Sequence, residues 1–180
     1  MDLPVFKYHP DPLATGSIAA SENKCLACGL VRGFIYKGQP YAEEELIDAF
    51  CPWCIADGTA HRKFDADFVD PEGIGDYGSW EPVAKEVIEE VAHRTPSFTG
   101  WQQERWFTHC ADAAAFLGRM GHAELCSYGA DAIAAIKDDI GFDGDEWEQY
   151  FKSLEKDGEP TAYLFRCRHC DAYGGYSDFT

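Results

Sequence analysis

Cys25-Leu26-Ala27-Cys28-Gly29 and, further on, Phe50-Cys51-Pro52-Trp53-Cys54-Ile55 are the stretches on which the reading of this chain turns. Two thiols two residues apart face one point from a single tight turn, and a second such turn completes a tetrahedral Zn²⁺ site. Gly29 can take the positive φ that closes the first turn. Pro52 suits the first position of a helix, where its missing N–H costs nothing. Cys51 then stands at the helix cap and Cys54 one turn inside. Knuckle, hairpin through Gly33-Phe34-Ile35-Tyr36 and Lys37-Gly38-Gln39-Pro40, then helix: this is the layout of a treble-clef-like zinc module over residues 21–64.

A third pair, Cys167 and Cys170, stands near the end of the chain. Proximity favours Cys25, Cys28, Cys51 and Cys54 as one zinc set. The rival is a ribbon of Cys25/Cys28 with Cys167/Cys170. If the first set holds, Cys167 and Cys170 can take a second zinc with His109, Cys110, His122, Cys126 or His169. His109-Cys110 is the preferred partner, because adjacent residues after a strand can both point into a cleft. Cys126 reads as an ordinary buried thiol.

An enzyme is the alternative. Cys110, beside His109 at the mouth of a helix, has the setting of a thiol nucleophile, with Gln102 or Gln103 near an oxyanion. A site of Cys167, Cys170, His109 and water is the one open, hydrolytic zinc that can be built.

The 180 residues are 46% hydrophobic and 14% aromatic, enough for a real core. The expectation is an α+β protein folded as one compact unit, 1–180, with a mixed remainder at 80–180 onto which a C-terminal zinc knuckle packs. Residues 1–20 show no basic start with an apolar run, and no stretch is long enough for a membrane helix. A reducing cytoplasm follows as the expected location, where paired cysteines are metal ligands more often than disulfides. The net charge of −17 repels a phosphate backbone, so a protein partner with a basic surface is expected rather than nucleic acid. Oligomeric state has no signal.

The remainder reads as follows. Pro4, Pro10 and Pro12 keep the opening extended. Residues 65–78 form a solvated acidic loop without calcium-loop spacing. Helical periodicity runs over 81–94, stopped by Pro96, and an aromatic strand over 100–107. An Ala-rich helix is expected over 112–117, and two more over 130–140 and 145–156. Residues 162–166 read as a strand, and Gly174-Gly175 as a turn.

Leu3-Pro4-Val5-Phe6-Lys7-Tyr8-His9-Pro10-Asp11-Pro12 with Thr15-Gly16-Ser17-Ile18, the run Cys51-Pro52-Trp53-Cys54-Ile55-Ala56-Asp57-Gly58, and Gly100-Trp101-Gln102-Gln103 before His109-Cys110 resemble the CbrC family. That resemblance spans nearly the whole chain. It implies a bacterial protein with three Cys-x-x-Cys motifs, metal binding, and an association with colicin tolerance, and it names no catalytic residue. Asp171 departs from the pattern, standing where a knuckle more comfortably places glycine.

Overall fold

In the computed structural model, which describes residues 2–179, the first Cys pair lies at the tip of a hairpin. Strand β1 (Ile18–Ala20) pairs antiparallel with β2 (Phe34–Tyr36), and a Lys24–Val31 bridge extends the ladder. The hairpin was expected between the knuckle and the second pair; here its first strand precedes Cys25. The reason is local. Cys25 N–H donates to Leu30 O (2.9 Å) and Gly29 N–H to Cys25 O (2.8 Å), so the knuckle itself reverses the chain. Gly29 closes that turn at φ 72°.

Tyr36 N–H donates to Phe50 O (2.9 Å) and so delivers Cys51 to the start of α1 (Pro52–Ala56). Cys51 is extended at φ −79°, ψ 151°, with Pro52 opening the helix. Helix α2 (Thr59–Phe64) follows directly. Their apolar sides, with Phe6, Ile18, Leu46, Phe50 and Phe68, close a core around the first four cysteines.

Helix α3 (Lys85–Arg94) begins four residues later than its periodicity suggested. Pro82 biases Glu81 away from helix, and the Thr108 hydroxyl holds the Glu81 carbonyl (2.6 Å). Residues 100–107 do not form the expected strand; only Trp106 makes a bridge, to Ile74. Side chains take the backbone donors instead: Gln102 N–H donates to Asp178 and Arg105 N–H to the Tyr176 hydroxyl.

The expected helix at 112–117 is a second correction. This segment is β4 (Asp112–Ala113), paired with β3 (Thr108–His109), running into β5 (Ala115–Met120). Alanine favours helix locally, but pairing of β5 with β6 (Thr161–Arg166), and of β6 with β7 (Tyr173–Asp178), overrides it. Both faces of β6 are buried. Tyr163 and Phe165 meet Tyr8, Phe98, Trp106 and Phe116, whereas Ala162 and Leu164 meet the helices on the opposite face.

Those helices are α4 (His122–Tyr128), α5 (Ala130–Ile140) and α6 (Gly144–Ser153). The short α4 was not anticipated, and it leaves Cys126 exposed rather than buried. Gly174 and Gly175 lie within β7, not in a turn. A Cβ on Gly174 would collide with the Phe107 ring, and one on Gly175 with the Tyr163 carbonyl. The architecture is thus α+β. Among the described residues, no helix is long and apolar enough to cross a membrane.

Candidate metal centres

Cys25, Cys28, Cys51 and Cys54 converge, their ligand atoms all within 4.8 Å of one another. The hairpin tip presents the first two and the start of α1 the others. Zn–S bonds of about 2.3 Å at tetrahedral angles put sulfurs about 3.8 Å apart; Cys28 and Cys51 Sγ stand at 3.9 Å. The Cys51 amide donates to Cys25 Sγ (3.3 Å), and Lys63 Nζ donates to Ala27 O (2.6 Å), fixing the knuckle from α2. Hydrogen bonding between Cys25 and Cys51 pulls the Cys25 thiol down and pushes the Cys51 thiol up. Burial raises Cys54 to about 12. A divalent cation would take all four as thiolates.

His109, Cys110, Cys167 and Cys170 form a second such set. The ribbon alternative is therefore not built, since Cys167 and Cys170 lie with His109 and Cys110. His109 Nδ1 is 3.3 Å from Cys110 Sγ and 3.4 Å from Cys170 Sγ, and those sulfurs are 3.8 Å apart. Mixed N/S tetrahedral zinc requires separations of this size.

The second set is held from outside by Glu81. Its carboxylate accepts the Ala111 amide (3.2 Å) and faces His109 Nε2 at 3.7 Å, leaving Nδ1 to the sulfurs. Cys110 and Ala111 form the β3–β4 turn with φ near 55° at both, the signature of a type I′ hairpin. Burial raises Cys167, but the His169 and Cys170 amides outweigh it and lower the thiol to about 6. His169, a candidate ligand, instead meets Asp112 (2.9 Å), which also takes Arg168 and the Tyr8 hydroxyl.

The nucleophile reading loses its setting. Cys110 is in a hairpin turn, not at a helix mouth, and hydrogen bonding with Cys170 pushes its thiol up to about 12. Gln102 donates to Phe179 O and Gln103 to Asp70, so neither side chain is committed to an oxyanion at Cys110. His122 and Cys126 sit 3.8 Å apart on α4, away from both sets. Sequence reasoning missed Glu81, which carries no motif, and a third grouping of His61, Asp67 and His93. Their spacing along the chain follows no ligand pattern.

Fold and site define an α+β protein with two cysteine-rich clusters able to hold metal ions. The chain belongs to UPF0167, an uncharacterised protein family whose model matches residues 3–179. UPF0167 proteins of Mycobacterium bovis and Mycobacterium tuberculosis are each 48% identical to it over 183 residues, covering 98% of this chain and 94% of theirs. One from Pseudomonas aeruginosa is 42% identical over 179 residues, covering 99% and 98%. No solved structure matches the chain.

Proposed function

We propose that this protein is a zinc-organised scaffold for protein interaction, with one Zn²⁺ held by Cys25, Cys28, Cys51 and Cys54 and a second by His109, Cys110, Cys167 and Cys170. The observation that carries the reading is two separate four-donor sets at tetrahedral spacing. Four protein ligands fill a zinc coordination sphere and leave no position for water, which is the mark of structural rather than hydrolytic zinc. The first module is treble-clef-like in its knuckle and its helix-borne pair, though its hairpin runs through the knuckle. With a net charge of −17, the partner class that fits is a protein with a basic surface, bound less tightly as salt rises.

The test is metal content with a thiol count on protein purified without added zinc. Two zincs per chain and one reactive thiol, exposed Cys126, is the expected result. One zinc with several reactive thiols would leave the second set free and return weight to thiol chemistry at His109 and Cys110.

A further inference from the structure

His61 on α2, Asp67 in the segment after it and His93 in the last turn of α3 bring their side chains to one point, with candidate ligand atoms all within 4.8 Å. Asp67 Oδ1 lies 3.0 Å from His61 Nδ1 and 3.4 Å from His93 Nε2. These distances match a shared cation. With bonds of about 2.1 Å, two ligands stand about 3.0 Å apart at a right angle and about 3.4 Å apart at the tetrahedral angle.

A hydrogen bond does not account for the shorter of these contacts. Despite their 3.0 Å separation, His61 Nδ1 and Asp67 Oδ1 make no aligned hydrogen bond, and both atoms are buried without another hydrogen-bond partner. Ligands of one ion aim at the ion and not at each other, whereas a hydrogen-bonded pair is collinear. A buried polar atom left in this state is costly unless something else satisfies it.

The carboxylate is held in place and the position is reachable. Asp67 is pinned by paired backbone bonds with Tyr41 (2.7 and 2.9 Å). The imidazoles stack at 3.6 Å between centroids and 9° between planes, so a shared ion requires one ring to turn about χ2 until its in-plane lone pair meets the other's. The three side chains are 26%, 28% and 25% exposed. Beside them opens a cavity of about 370 Å³ lined also by Glu86, Glu89 and Glu90. Its two arginines are engaged, Arg62 with Asp57 O and Thr59, Arg94 with Glu90.

We infer that His61, Asp67 and His93 form a third cation site, taking a divalent first-row transition ion through two imidazoles and one carboxylate. This donor set lacks thiolate and leaves coordination positions open toward the cavity, unlike the two closed sets. An exogenous small ligand can reach a metal bound there from the cavity.

Co²⁺ added to the zinc-replete full-length protein tests it. The expected result is one saturable equivalent without sulfur-to-cobalt charge-transfer absorption, and amide broadening in NMR centred on residues 59–64, 67 and 93. His93→Gln and Asp67→Asn should each weaken that equivalent at least tenfold while zinc content stays unchanged. Absence of saturable binding would overturn the inference. So would broadening centred on Glu86 and Glu89 that survives His93→Gln, which marks a diffuse acidic surface. The NMR map needs no variant, so a misfolded substitution cannot leave the question undecided.

Discussion

The two cysteine-rich clusters are made of similar parts and set in opposite surroundings. The first has three of four cysteines buried, lies at the heart of a core that includes Phe6, Phe50, Ile55 and Phe68, and receives its ligands from a hairpin tip and a five-residue helix. The second sits at the end of a three-stranded sheet, with Cys110 and Cys170 exposed. Behind it β6 and β7 are paired over six residues each and packed on both faces. Short elements such as α1 and β2 cannot stand alone. On the proposed reading, metal at the first cluster would organise its module, whereas the second would be attached to a structure that stands without it.

The largest expected effect breaks the comparison outright if it fails. Cys51→Ser should remove the first zinc and unfold residues around β1, β2, α1 and α2. Structural zinc supplies about 10–16 kcal/mol of apparent binding free energy, so a loss on the order of 5 kcal/mol or more is expected. Hydrogen exchange should show protection lost there and kept in β5–β7. Uniform loss would mean that the two regions fold as one unit.

How much of this difference is legible in the sequence follows from range. Cys51-Pro52 announces a helix start through local chemistry alone, and Ile133, Ile136 and Gly141 mark α5 and its end in the same way. Residues 112–117 mislead because Ala113, Ala114 and Ala115 state a helix preference that only distant pairing, Ala115 with Arg166, overrules. The aromatic run 100–107 misleads for the converse reason: Trp106 and Phe107 serve packing, and the backbone there bonds side chains from β6 and β7. Of the second cluster, the cysteine pair is visible as a motif. Glu81, which holds the Ala111 amide and faces His109, has no signal before the fold exists.

Next in size is the join between the two regions. Phe6 belongs to the first core and Tyr8 to the second, and His9 follows with its ring fully buried. Its Nδ1–H donates to Pro96 O and its Nε2 meets the Thr15 hydroxyl, both at 2.7 Å. Burial lowers its pKa to about 4 from 6.5. The folded state therefore binds this proton less readily than the unfolded state. Stability is full above about pH 6.5 and falls as pH drops toward 4, by about 3 kcal/mol in all. Denaturant titrations at saturating zinc, between pH 7 and 5.5, should show a slope that His9→Gln flattens. An unchanged slope would place the acid sensitivity at the thiolates instead.

A smaller effect is expected at the exposed cluster. Cys110→Ser should cost one zinc per chain and only a few degrees in Tm. A chelator with a zinc-sensitive dye should release zinc in two phases, and this variant should lack the fast one. Loss of the slow phase would invert the assignment of the clusters to exposed and buried.

The smallest effect compares the two knuckles at one equivalent residue. Gly29 follows Cys28 at φ 72°, and Asp171 follows Cys170 at φ 62°. Both chains turn through the left-handed region, but only glycine does so without steric cost, and the penalty for another residue is about 1–2 kcal/mol, eased for aspartate. Asp171 also meets Arg166 at 2.9 Å, an exposed pair contributing at most a few tenths of a kcal/mol. Asp171→Gly should then stabilise the protein by about 0.5 kcal/mol with zinc content unchanged. Gly29→Asp should destabilise by about 1 kcal/mol or more, since it puts a side chain on a backbone held at positive φ. A calorimetric pair in which both swaps cost the same would show that the surroundings of the two clusters do not govern their tolerance.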